Sequence, residues 1–129
     1  MTTHSLNHVN LRAPRALLDA LKDFYCEVVG LHAGFRPAFS GFGYWLYAQE
    51  SALVHLYEAA PGEEQRTDIE TTFNHFAFDC SNLAEVEETL IQHGVIYRKA
   101  IVPLTQQVQL FIHDPAGNKV ELNFARPDV

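Results

Sequence analysis

Apolar and polar positions change period along this chain, and the changes mark two rounds of the same elements. Ser5 to Leu11 (SLNHVNL) alternates with period two, setting Leu6, His8 and Asn10 on one strand face and Asn7, Val9 and Leu11 on the other. Arg12 continues the His8 face. Pro14 then suits a first helical turn, and Leu17, Leu18, Leu21, Phe24, Tyr25 and Val28 recur at helical spacing until Gly30 stops the run. From Leu31 to Tyr57 short aromatic-rich runs are broken at Pro37, Ser40, Gly41, Gly43 and around Gln49 to Ser51. This predicts three short strands, the last being Ala52 to Tyr57 (ALVHLY), with His55 on the face of Leu53 and Tyr57.

The second half repeats the sequence of events. Thr72 to Asp79 (TFNHFAFD) reads as a strand with Phe73, His75, Ala77 and Asp79 on one face. Asn82 with Glu85 three residues later predicts a capping box, and Val86, Leu90 and Ile91 form an apolar stripe ending at Gly94. Val95 to Arg98 is a further predicted strand, and Ala100 to Gln107 is irregular. Val108 to His113 and Lys119 to Phe124 flank Asp114 to Asn118 (DPAGN), the pattern of a hairpin with a glycine-containing loop. In its second strand Val120, Leu122 and Phe124 share one face, and Lys119, Glu121 and Asn123 the other.

The halves therefore read as two copies of one β-α-β-β-β unit. Asn7-His8-Val9 and Asn74-His75-Phe76 open them, 75 − 8 = 67 residues apart, while His55 and Glu121 occupy the last strands 121 − 55 = 66 apart. Four metal-competent side chains thus sit at equivalent places, two per copy. If the copies pack about a pseudo-twofold axis, the inner faces of their first and last strands line one cleft. Three imidazoles and one carboxylate suit a borderline divalent ion such as Zn, Ni, Fe or Mn. His4, His32, His93 and His113 fall outside this symmetric set and read as surface or supporting residues.

Composition narrows the partners. The net charge is -7, and Glu58 to Glu70 holds five acids against Arg66 alone, so residues 59–71 read as a solvated acidic linker. No basic stripe invites nucleic acid. No apolar run reaches the roughly 20 residues needed to span a bilayer, and Met1 to Asn10 lacks the build of a signal peptide, so no membrane partner and a cytoplasmic location are expected. Cys26 and Cys80 form no CxxC pair and are expected to be reduced packing residues.

The early LNHV strand, the helix ending LKDFYCEVVGL, the second strand FNHFAF and the closing DPAGNKVELNF resemble the vicinal oxygen chelate superfamily, which includes glyoxalase I, bleomycin resistance proteins and extradiol dioxygenases. The resemblance implies an α+β fold of two βαβββ modules, about 1–58 and 72–125, forming one glyoxalase-like domain whose open barrel surrounds a cleft. It carries the metal positions onto His8, His55, His75 and Glu121, although glyoxalase I and methylmalonyl-CoA epimerase, another member, usually have Glu or Gln where His55 stands. It also implies a small-molecule substrate and a homodimer whose sites are often shared between subunits.

The default expectation from the resemblance is a glyoxalase I-like lyase or isomerase. In this reading one divalent ion is chelated by adjacent substrate oxygens, and Glu121 also acts as base. Arg12 and Arg36 would hold a substrate carboxylate, and Trp45, Tyr57 and Phe111, with Tyr44 and Tyr47, would supply apolar walls. The alternatives are an iron-dependent dioxygenase and a non-catalytic module that sequesters a ligand, as bleomycin resistance proteins do. Three departures mark the sequence. Phe111 stands where ring-cleaving members usually carry a catalytic Tyr, no serine occurs in Pro103 to Gln107 for a fosfomycin-type potassium loop, and Ala59 replaces the Asn that helps glyoxalase I hold glutathione.

Overall fold

The computed structural model describes residues 1–64 and 71–125, so residues 65–70 of the expected linker lie outside the described residues. Two compact units, Met1–Gln65 and Arg66–Val129, divide the chain.

In the first unit β1 (Val9–Ala13) leads into α1 (Arg15–Glu27), which carries the chain to the far edge of a sheet. From there β2 (His32–Gly34), β3 (Gly43–Ala48) and β4 (Ser51–Glu58) return as an antiparallel meander, and β4 docks parallel to β1 in the order β1-β4-β3-β2. A parallel pair cannot be closed by a tight turn, which is why the helix lies between its members. The apolar stripe read from the sequence is the one that is buried: Leu18, Leu21 and Tyr25 of α1 are 1% exposed or less, as are Leu46, Val54 and Leu56 of β3 and β4. Burying each such side chain contributes about 1.5–3 kcal/mol. At Gly30, in the left-handed conformation at φ 90°, the helix ends, and the Leu31 N–H returns to the carbonyl of Tyr25.

The second unit repeats this plan. It contains β5 (Phe76–Cys80), α2 (Leu83–Gln92), β6 (Arg98–Ile101), β7 (Val108–His113) and β8 (Lys119–Phe124) in the order β5-β8-β7-β6, with β5 parallel to β8. Leu90, Leu110, Ile112, Val120 and Leu122 form its buried apolar set. The predicted α+β class and the two βαβββ modules are thus present, and neither sheet closes on itself.

Boundaries moved where pairing, not pattern, decides them. The first strands begin at Val9 and Phe76 rather than Ser5 and Thr72, because ladder partners start at Val54 and Val120. His8 and His75 consequently precede their strands by one residue. The predicted strand Val95 to Arg98 shifts to Arg98–Ile101: the N–H groups of Gly94 and Val95 are taken by the carbonyls of Ile91 and Leu90, closing α2 in a Schellman turn. The predicted capping box does not form. Asn82 has left-handed angles, φ 64° and ψ 57°, and its side chain makes no cap hydrogen bond, since that backbone aims it away from the helix amides. Both cysteines are free, and burial above all pushes the Cys80 thiol up to about 11. Among the described residues no helix is long and apolar enough to cross a membrane.

Candidate metal half-sites

The β-ladder registers place the candidate ligands at the same node of each sheet. His55 on β4 lies opposite Asn10 on β1 and Trp45 on β3, and Trp45 lies opposite Gly34 on β2. Glu121 on β8 lies opposite Ala77 on β5 and Phe111 on β7, and Phe111 lies opposite Arg98 on β6. Directly opposite residues share a face. Trp45 and Phe111 are therefore symmetry mates, an equivalence legible in advance as 111 − 45 = 66 but hidden by their different side chains.

In the second unit the His75 Nε2 atom is 3.1 Å from Oε1 of Glu121, a carboxylate only 8% exposed. The Phe111 ring stands edge-on to His75 at 5.7 Å. Asn74 Oδ1 lies 2.7 Å from His75 Nδ1, and because that oxygen only accepts, Nδ1 carries the proton. A neutral ring so held presents a lone pair from Nε2 to the carboxylate. Two acceptors at this distance repel unless a second ring proton or a cation lies with them. The separation itself fits neighbouring donors on one ion: bonds of about 2.1 Å meeting at a right angle or tetrahedrally put donors about 3.0 to 3.4 Å apart. The pair therefore fits half of a metal site.

In the first unit Asn7 repeats the role of Asn74, with Oδ1 2.7 Å from Nδ1 of His8. His8 stacks on His55 at 3.8 Å between ring centres and 13° between planes, and His55 stacks on Trp45 at 4.1 Å and 11°. His55 is 9% exposed, with its Nε2 3.2 Å from the Ala52 carbonyl oxygen. Burial, assisted by the neighbouring His8, lowers its pKa below the usual histidine value, so the ring is neutral and carries a free lone pair near neutral pH. Lone pairs lie in ring planes, so two rings stacked nearly parallel do not converge on one point; joint ligation needs a rotation of His55 about its side-chain bonds. Among the described residues, no three His, Cys, Asp or Glu side chains are gathered into one metal-holding group; His8 lies against His55 in the first unit and His75 against Glu121 in the second.

Arg36, Trp45, His55 and Tyr57 come together around a recess of about 190 Å³, completed by Asn10, Phe39 and Leu56. A larger depression of about 550 Å³ borders Trp45 and His55 on the side of Asn7. Within the recess Arg36 donates from Nη1 to the Gly41 carbonyl at 3.0 Å, while its Nε is buried with no hydrogen-bond partner. Arg12 lies elsewhere, paired with Glu63 at 2.7 Å and lying 4.7 Å over the Tyr57 ring. Tyr44 faces the helix, donating its hydroxyl proton to Asp19 at 2.7 Å. Sequence reasoning singled out His8 and His75 but missed the contacts that Asn7 and Asn74 make with their rings, although the repeated Asn-His dipeptide was its signal.

Comparison with known proteins agrees with this architecture. Residues 5–122 match the family described as the Glyoxalase/Bleomycin resistance protein/Dioxygenase superfamily. The chain is 34% identical over 123 residues to the protein named glyoxylase I 4 of Arabidopsis thaliana, spanning 92% of this chain and 69% of that one. It superimposes on a glyoxalase family protein from Bacillus anthracis with a TM-score of 0.73 at 18% identity, covering 97% and 98% of the two chains. The corresponding values for lactoylglutathione lyase from Agrobacterium tumefaciens are 0.66 and 20%, with 98% and 97% covered. The profile match and the Arabidopsis relative carry the assignment, and the solved structures agree on the fold: the chain belongs to the glyoxalase/bleomycin resistance protein/dioxygenase superfamily.

Proposed function

We propose that the chain is a divalent-metal-dependent enzyme of glyoxalase I type, a lyase or isomerase acting on a small substrate with adjacent oxygens. His8, His55, His75 and Glu121 would hold the ion, whether the two pairs meet within one chain or across a homodimer. The observation that carries this reading is the His75–Glu121 contact at 3.1 Å, with the His75 ring oriented by Asn74 and the same Asn-His device repeated at His8. Names of the relatives, a glyoxylase and a lactoylglutathione lyase, support the same reaction class.

When bound, the ion supplies a Lewis acid that stabilises negative charge on a substrate oxygen. The chain's own residues supply the rest. Glu121 is buried at the centre of its strand and takes the substrate proton on a carboxylate oxygen. Trp45, Tyr57 and Phe111 are the apolar walls. The unpartnered Nε of Arg36 makes it the better placed arginine for a substrate carboxylate, whereas Arg12 would first have to leave Glu63.

The test is metal content together with turnover of dicarbonyl-thiol adducts. Purified parent protein is expected to bind a divalent ion and convert such an adduct, and a His8→Ala, Glu121→Ala double variant to do neither; equal metal affinity in the two proteins overturns the proposal. One observation favours a second reading. The His8–His55–Trp45 stack is a column of parallel rings, an arrangement to which a planar ligand would add by stacking, and tight binding of such a ligand by metal-free protein without turnover would select it.

A further inference from the structure

We propose that the second unit carries a binding subsite for the carboxylate of an organic acid with an apolar body, formed by Arg98 and Lys119 beside the Phe111 ring. The inference rests on the proposed function only in taking His75 and Glu121 as the place where the same substrate is chelated.

The Arg98 guanidinium carbon lies 4.4 Å from the centre of the Phe111 ring, and the Lys119 ammonium nitrogen 5.1 Å from it. These distances are within cation–π range, yet they bring two positive charges to one ring in a chain of net charge -7. Among the described residues neither cation forms an ion pair. The nearby acids are engaged elsewhere, Glu121 with His75 at 3.1 Å. Strand alternation sends Lys99 away from Arg98, and Glu87 of α2 takes that lysine at 3.3 Å and the Tyr97 hydroxyl at 3.0 Å. Two like charges brought to one ring repel, and an anion in the recess that both line reduces the repulsion while gaining charge-assisted hydrogen bonds.

The space for that anion exists. A recess of about 290 Å³ is lined by Ile96, Tyr97, Arg98, Phe111, His113 and Lys119, with apolar walls and a cationic rim. It adjoins the His75–Glu121 pair through Phe111: Arg98, Phe111 and Glu121 form one row across β6, β7 and β8, and the Phe111 ring also touches His75. Lys119 approaches Asn74, the residue that orients His75, at 3.5 Å. A substrate anchored here by its carboxylate would lay its body against Phe111 and direct its other end to Glu121.

Benzoate serves as the probe, titrated into metal-free protein by calorimetry and by following the Arg98 and Lys119 NMR signals, with neutral benzamide as control. Benzoate is expected to bind and shift both signals, and benzamide to bind about tenfold more weakly or worse. R98Q/K119Q should lose benzoate binding by the same factor or more while keeping the parent's circular dichroism and metal affinity, and R98K/K119R should keep benzoate binding. Equal affinity for benzoate and benzamide, or undiminished benzoate binding by folded R98Q/K119Q, overturns the subsite. The metal reading fails separately: protein that takes up no ion yet discriminates benzoate through these residues retains the subsite and loses the metal centre.

Discussion

In the proposed site, His75 would serve as a ligand because Asn74 holds its ring by Nδ1. Asn74 Oδ1 accepts from Nδ1 of His75, leaving Nε2 to face Glu121, and Asn7 Oδ1 accepts in the same way from Nδ1 of His8. Supporting hydrogen bonds of this kind are worth about 10–100-fold in metal affinity. Asn74→Ala should therefore weaken divalent-ion binding by about that factor in a chelator competition, with Asn74→Asp, which keeps an acceptor, losing less; unchanged affinity in Asn74→Ala would remove the orienting role. His55 answers a different measurement. Its folded pKa is lowered, by burial first and by His8 second, so the unfolded chain takes up its proton more readily. The stability this neutral ring allows is complete above the unfolded value of about 6.5 and is lost as pH falls through the lower folded value. Thermal melts of metal-free protein between pH 7 and 5 should fall more steeply for the parent than for His55→Gln. The histidines and Glu121 were legible in the sequence through their 66- and 67-residue offsets. The asparagines were not assigned a role, since an Asn beside a His reads as surface until the backbone brings Oδ1 onto the ring.

The turn before β8 fixes where Glu121 points. Asp114, 4% exposed, accepts from the N–H groups of Ala116 and Asn118 through Oδ1 and from the Asn118 side chain through Oδ2, all at 2.9 Å. Gly117 completes the turn at φ 89°. Since a one-residue slip would send Glu121 to the apolar face, this carboxylate sets register as well as stability. Asp114→Ala should cost about 1.5–3 kcal/mol in denaturant unfolding and reduce metal affinity with it; a variant as stable as the parent would show that the ladder alone holds the register. Here the sequence was informative, because DPAGN between alternating runs names both turn and faces, and Val120, Leu122 and Phe124 are indeed buried. It was poor for β6, whose RKAI has no apolar alternation and is a strand only by pairing with Val108 to Phe111 on β7. Strand entries near His8 and His75 were misplaced for the same reason: their partners are more than 40 residues away.

Across the molecule the duplication is what makes the fold readable from one sequence. Each half repeats the same strand order, the same parallel pair and the same ladder node for its candidate ligand, so weak local signals reinforce one another. The reaction is less readable, because it depends on which side chains ring that node: Trp45 in one half, Phe111 in the other, with Gly34 and Arg98 beyond them. The central claim is that the two half-sites serve one ion. Metal analysis and calorimetric titration of protein purified without a polyhistidine tag test it directly. About one divalent ion per chain is expected, with His8→Ala and Glu121→Ala, each altering a different half-site, both weakening its binding by about 100-fold or more. A chain that binds no divalent ion, or one whose affinity survives His8→Ala while Glu121→Ala abolishes it, would contradict the shared centre.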